Sequence, residues 1–151
     1  MDLSKPKTDN LLSGWFEGRV HKYPLQIFYE DTDFSGVVYH ANYLRFFERA
    51  RSCFLKLVGI NHAELWDQQN IAFAIKSMTI DYHSPAKIDD QLEIRTTYDD
   101  LKGARLKITQ SCMRGSDILV SASCEAACIA ASGRPIRAPE HLKTSLAPYL
   151  K

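Results

Sequence analysis

Residues 42–58 constrain this chain more than any other stretch. Tyr43, Phe46, Phe47, Ala50, Phe54, Leu57 and Val58 recur at three-and-four spacing, while Arg45, Glu48, Arg49, Ser52 and Lys56 fill the other side. That pattern predicts an amphipathic helix closed by Gly59. A lone helix with so aromatic an apolar face needs a sheet to receive it.

Strand-like sequence surrounds it. Between Gly18 and Tyr29, Tyr23, Leu25, Ile27 and Tyr29 alternate with Lys22, Pro24, Gln26 and Phe28, with Pro24 pushing toward the start or edge of a sheet. After the helix, the spacing predicts a short second helix over 62–68 and strands over 71–82, 91–98, 104–113 and 118–131. Ser84-Pro85 stops the first of these strands, and Leu92, Ile94, Thr96 and Tyr98 share a face of the second. Val120, Ala122, Cys124, Ala126 and Cys128 share a face of the last, and small residues there permit close approach by the long helix. A short helix is expected over 141–146. The sum is an α+β domain: one strand, one long helix, then four strands in a largely antiparallel sheet wrapped around it. Exposed edges of such a sheet favour pairing with a second copy.

Composition fits that reading and excludes others. The 151 residues suffice for one core, and 45% hydrophobic with 25% charged residues argues against general disorder. A formal net charge of +1 gives no reason to expect nucleic acid binding. No apolar run is long enough for a transmembrane segment, and the N-terminus lacks a secretion pattern. Cys53, Cys112, Cys124 and Cys128 form no CxxC pair and match no common zinc spacing, so they read as reduced, mostly buried side chains in a cytoplasmic protein. Residues 1–17 read as a partly mobile extension and 18–151 as a single domain. Leu11, Leu12, Trp15 and Phe16 in that extension are apolar enough to pack on the domain or a partner, or to attach weakly and peripherally to the inner membrane.

The run Y-x-D-T-D-x-x-G-V-V-Y-H-x-N-Y is spelled by Tyr29, Asp31, Thr32, Asp33, Gly36, Val37, Val38, Tyr39, His40, Asn42 and Tyr43. It resembles the hot-dog thioesterases, in the branch of 4-hydroxybenzoyl-CoA thioesterase and of the bacterial acyl-CoA thioesterase associated with the Tol-Pal envelope system. FFERAR at 46–51 and YHSPAKIDDQLEI at 82–94 resemble the second group particularly. The resemblance spans roughly residues 20 to 135. It implies a five-stranded antiparallel sheet around the 42–58 helix, a homodimer, and a tetramer made from two dimers. It also implies hydrolysis of acyl-CoA thioesters, a step of lipid metabolism, at sites shared between subunits, with no cofactor. An acyl-carrier protein is the alternative source of the acyl group. A weakly active interaction protein linked to lipid synthesis or the cell envelope is a rival of another class.

On that resemblance the catalytic carboxylate falls on Asp33, which either activates water or attacks the carbonyl directly. The polarising backbone N–H falls on His40, at a helix start whose N–H groups lack internal partners. The His40 imidazole either orients substrate, tunes Asp33 or simply bonds near the helix entrance. Gly36 lets the loop turn back, and Asp31 and Thr32 look structural. Tyr29, Tyr39, Tyr43 and Phe47 either line an acyl pocket or fill the core. Asn42 is a candidate helix cap. Lys87, Arg134 and Arg137 are candidate contacts for the phosphates of CoA. Glu48 and Arg51 either pair or contact the site across the dimer, and His83 is a further pocket candidate. No multi-histidine site, GxGxxG, P-loop or GxSxG elbow appears, so neither metal chemistry nor a serine hydrolase is expected.

Overall fold

A computed structural model describes residues 12–151. The elements, in chain order, are β1 (Trp15–Glu17), β2 (Val20–Gln26), α1 (Asn42–Leu57), α2 (His62–Gln69), β3 (Ile71–Tyr82), β4 (Gln91–Lys102), β5 (Arg105–Arg114), β6 (Asp117–Ala130) and α3 (Glu140–Leu146). Every strand pairing is antiparallel and the sheet order is β1-β2-β4-β5-β6-β3. The connection through α1 and α2 thus carries the chain from β2 to the opposite edge. The sheet has six strands where five are expected. The additional one is β1, which lies inside the expected N-terminal extension and pairs Trp15 with Lys22. Trp15 and Phe16 are buried, whereas Leu12 is exposed and Leu11 lies outside the described residues. Pro24 sits beyond the reach of β1, where a missing N–H costs no pairing to that neighbour.

Period-two patterning fixes what faces α1. Leu92, Ile94, Thr96 and Tyr98 of β4, and Val120, Ala122, Cys124, Ala126 and Cys128 of β6, are all buried. Against them α1 lays Tyr43, Phe46, Phe47, Ala50, Phe54 and Leu55, and a fully buried side chain of this size contributes roughly 1.5–3 kcal/mol. Leu57 and Val58 are only half-buried, and Arg51 is buried in their stead. The reason is a polar seam inside the sheet: Thr96 and Gln110 are cross-strand partners. Gln110 donates to Thr96 Oγ1 and to the Phe47 carbonyl, both at 3.0 Å, and accepts from Arg51 at 2.9 Å. Arg51 also pairs with Glu48 at 2.5 Å. The helical spacing alone places Arg51 on neither face decisively, and the Gln110 carbonyl pulls it inward.

The C-terminal end of α1 is sealed by the two ends of the described chain. Phe54 stacks on Tyr98 at 4.3 Å and meets Phe16 edge-on at 4.8 Å. Tyr149 packs on Phe16, and Arg19 Nε donates to the Tyr149 and Leu150 carbonyls. Leu142 and Leu146 of α3 complete the plug.

Candidate active site

The N-terminal end of α1 is approached by a loop held almost entirely by its own hydrogen bonds. Asp31 is its anchor: Oδ2 accepts from the Phe28 N–H at 2.9 Å, Oδ1 from Asn42 Nδ2 at 3.0 Å, and its carbonyl from the Tyr39 N–H at 2.9 Å. Thr32 Oγ1 donates to the Tyr29 carbonyl. Asp31 and Thr32 are therefore structural, and Asn42 is a strut within the first turn, where Ala41 is the cap residue and makes no side-chain capping bond. Between Asp33 and Val37 the chain reverses, with the Asp33 N–H on the Val37 carbonyl and the Gly36 N–H on the Asp33 carbonyl. Gly36 takes φ +85°, a conformation that a side chain would strain. Val38 N–H then bonds the Ala86 carbonyl, which ties the loop to the segment before β4.

This folding brings Asp33 and His40 to one pocket of about 290 Å³, lined also by Val37, Val38, Tyr43, Tyr82, His83, Ser84 and Pro85. Asp33 is exposed, and its Oδ1 accepts from the Ser35 hydroxyl at 2.5 Å and the Ser35 N–H at 2.8 Å. The Ser35 hydroxyl first, then its N–H, with the Val37 backbone and the nearby His40, hold the Asp33 carboxyl below the usual carboxylate range. Asp33 is thus ionised, as a base or nucleophile must be.

Two consecutive peptide planes at His40 are pinned. The Tyr39 carbonyl accepts from the Asn42 N–H at 2.8 Å, and the His40 carbonyl accepts from the Tyr82 hydroxyl at 2.8 Å. Because each peptide is trans and planar, fixing a carbonyl fixes the N–H of the next residue on the opposite side. Among the described residues nothing accepts from the N–H groups of His40 or Ala41. Those orphan donors, at the positive end of a helix, suit an oxygen that becomes negative. The His40 ring itself packs beside Tyr39 at 4.7 Å and edge-on to Tyr82 at 6.4 Å.

The other expected residues divide. Of the four acyl-pocket candidates only Tyr43 lines this pocket; it is buried, and its hydroxyl oxygen accepts from the Ala86 N–H. Phe47 is wholly within the core. Tyr29 is 82% exposed on a 3-10 turn, so it neither fills the core nor lines the pocket, because the expected strand ends at Gln26. Tyr39 is half-exposed outside the lining. His83 does line the pocket, with Nε2 2.9 Å from Ser121 Oγ. Lys87 bridges Val37 and so stands near Asp33, whereas Arg134 and Arg137 do not. They follow Ala130, which pairs with Ile71, while Tyr82 pairs with Val120 at the other end of the β3–β6 ladder. Ser35, bonded to Asp33, and Tyr82, bonded to the His40 carbonyl, are neighbours of the site to which the sequence assigned no role. Among the described residues no three His, Cys, Asp or Glu side chains gather to hold a metal ion.

Comparison with known proteins places the chain in a family. Residues 29–146 match the model of the thioesterase-like superfamily. The acyl-CoA thioesterase YbgC of Haemophilus influenzae is 39% identical over 124 residues, covering 82% of this chain and 91% of the relative. A crystal structure of a probable thioesterase from Bartonella henselae is 41% identical, with a TM-score of 0.77 over 80% of this chain and 99% of that one. A variant of 4-hydroxybenzoyl CoA thioesterase complexed with 4-hydroxybenzoyl CoA shares the fold, with a TM-score of 0.80 at 19% identity over 84% of this chain and 98% of that one.

Proposed function

This chain belongs to the thioesterase-like superfamily and is an acyl-CoA thioesterase of the hot-dog fold, and we propose that it hydrolyses the thioester in the pocket between Asp33 and the start of α1. The observation that carries the assignment is the meeting of an ionised carboxylate with unaccepted backbone N–H groups at one cavity. The thioester carbonyl oxygen would sit at the N–H groups of His40 and Ala41. Asp33 would take a proton from a water as that water adds to the carbonyl carbon, the C–S bond would break, and the departing CoA thiolate would take that proton from Asp33. By direct attack, Asp33 would add to the carbonyl carbon and the C–S bond would break, with CoA leaving as the thiolate. Water would then hydrolyse the resulting anhydride, its proton going to the thiolate. The His40 imidazole orients the substrate beside Tyr39 and Tyr82.

A homodimer makes this site more complete. β3 is a twelve-residue edge strand with Ile75 and Tyr82 exposed on it, an invitation to pair with another strand. Two copies joined antiparallel along β3 would exchange ends, bringing the residues after Ala130 of one copy toward Tyr82 of the other. Arg134 and Arg137 of a second copy, with Lys87, are then the cations offered to the phosphates of CoA.

Thiol release from acyl-CoA esters of increasing chain length, and from a benzoyl-type ester, tests the assignment with Asp33→Asn beside the parent. The variant is expected to lose about a hundredfold or more in kcat with its fold and oligomeric state unchanged. Because the carboxylate is the working form and its pKa is lowered, activity should persist to lower pH than an ordinary carboxylate would allow. An Asp33→Asn variant as fast as the parent would remove Asp33 from the mechanism. A parent that sediments as a monomer while fully active would remove the shared site.

A further inference from the structure

We propose that Ser35 is a positioning residue for this hydrolysis, its hydroxyl locking the Asp33 carboxylate so that Oδ2 is the oxygen presented to the reacting water or carbonyl. The inference rests on Asp33 being the working carboxylate. Both Ser35 donors go to the same oxygen: the hydroxyl at 2.5 Å and the N–H at 2.8 Å reach Oδ1. A carboxylate offers about four lone-pair directions, and two fixed donors on one oxygen define how the group is rotated. Among the described residues both hydrogen bonds that fix the carboxylate are on Oδ1. The Val37 backbone, which also favours the ionised form, makes no hydrogen bond of normal length to Oδ2, which is left free for chemistry. The backbone N–H would be supplied by any residue but proline at position 35, so the hydroxyl is the part that the serine adds.

The turn does not need that hydroxyl. It is already closed by the Asp33 and Gly36 N–H groups on the Val37 and Asp33 carbonyls, with Gly36 in the left-handed region. Asp33 is exposed, so with only the position-35 N–H left on Oδ1 the carboxylate would rotate and hydrate more freely, and a Ser35→Ala chain would keep its loop but aim the carboxylate less well. The bond also favours the ionised form of Asp33. The other charged or titratable groups around this carboxylate are His40, Tyr43, Tyr82 and His83 on the pocket wall, Lys87 opposite Val37, and Asp31 in the same loop. All of them stay in place when only Ser35 is changed.

Ser35→Ala and Ser35→Thr separate this role from a structural one. The pH profile of kcat/KM and the carboxyl carbon NMR titration of Asp33 would be recorded for both and for the parent, the resonance being identified with Asp33→Asn. In Ser35→Ala the acid limb and the titration should both move to higher pH, since a donor that favours the carboxylate is gone, and Ser35→Thr should restore both. A titration unmoved in Ser35→Ala, or a Ser35→Thr protein behaving like Ser35→Ala, would overturn the proposal. A titration that moves while the acid limb stays still would instead overturn Asp33 as the working group, a distinguishable failure.

Discussion

His21 and His40 stand near opposite ends of α1, a helix of 16 residues and so about 24 Å long. His21 is fully buried between Phe16 and Phe54, whereas His40 is exposed at a pocket mouth. Around His21 the ends of the described chain fold over and exclude water. Around His40 a loop of acids and turn residues is held open by hydrogen bonds to its own backbone. The same helix is therefore sealed at one end and, on the proposed mechanism, offers its donors to substrate at the other. Apolar contact is non-directional and can be concentrated at the closed end, while a catalytic carboxylate needs directional bonds and access to water.

The strongest way to break this comparison is to damage the closed end and look for an effect at the open one. Phe54→Ala removes a fully buried ring that touches Phe16, Tyr98 and Tyr149. A loss of about 3–5 kcal/mol in unfolding free energy is expected, read by urea titration. Thiol release per folded molecule should stay within about twofold of the parent. If kcat per folded molecule fell well beyond that, the two ends would be one mechanical unit and the contrast would fail.

A smaller effect comes from pH. His21 Nε2 lies 2.7 Å from the Ser13 carbonyl, which can only accept, so this nitrogen carries the proton and Nδ1 is bare. Nδ1 is buried with no partner among the described residues, and a second proton there would meet aromatic carbon. Burial pulls the imidazole down from 6.5 to about 4, despite the bond to Ser13. The folded pKa lies below the unfolded one, so the unfolded chain takes up the proton first. Stability from this group is complete above pH 6.5, declines as pH falls toward 4, and changes no further below that. The linked loss is about 3 kcal/mol in all. His21→Gln, which keeps a donor for Ser13, should flatten that slope between pH 6.5 and 4 relative to the parent. An unchanged slope would mean that water reaches His21 and that the closed end is not closed.

The open end was more legible in the sequence than the closed one. Asp33, Gly36 and His40 lie within a short stretch that local chain geometry brings together, and it was the family resemblance of that stretch, not spacing, that singled them out. α1 and β4 were equally readable, because α1 repeats its period over several turns and β4 alternates through Leu92, Ile94, Thr96 and Tyr98. What spacing could not reach was long-range. His21 meets Ser13 and Phe54 only once β1 pairs with β2, and a three-residue strand carries too little periodicity to announce itself. Arg51 turns inward for Gln110, 59 residues away. Tyr29 extended an alternation that the chain had already left for a 3-10 turn, since Asp31 captures the Phe28 N–H three residues back. Tyr82 ended a strand whose pattern read as ordinary, and its bond to His40 spans 42 residues.

That bond gives the smallest expected effect and the sharpest test of where the open end stops. Tyr82 lies on β3, the far edge of the sheet, yet its hydroxyl holds the His40 carbonyl and with it the peptide plane carrying the Ala41 N–H. Tyr82→Phe leaves the ring, its edge-on contacts with His40 and Tyr43, and the strand pairing to Val120. Only one hydrogen bond is lost, worth about 1 kcal/mol, so kcat should fall about fivefold and the unfolding free energy by less than about 1 kcal/mol. The change should appear in kcat more than in KM, since a carbonyl acquires its negative charge only in the transition state. A fall as deep as that of Asp33→Asn would mean that the hydroxyl meets the substrate itself. β3 would then belong to the reacting site and not merely to its frame.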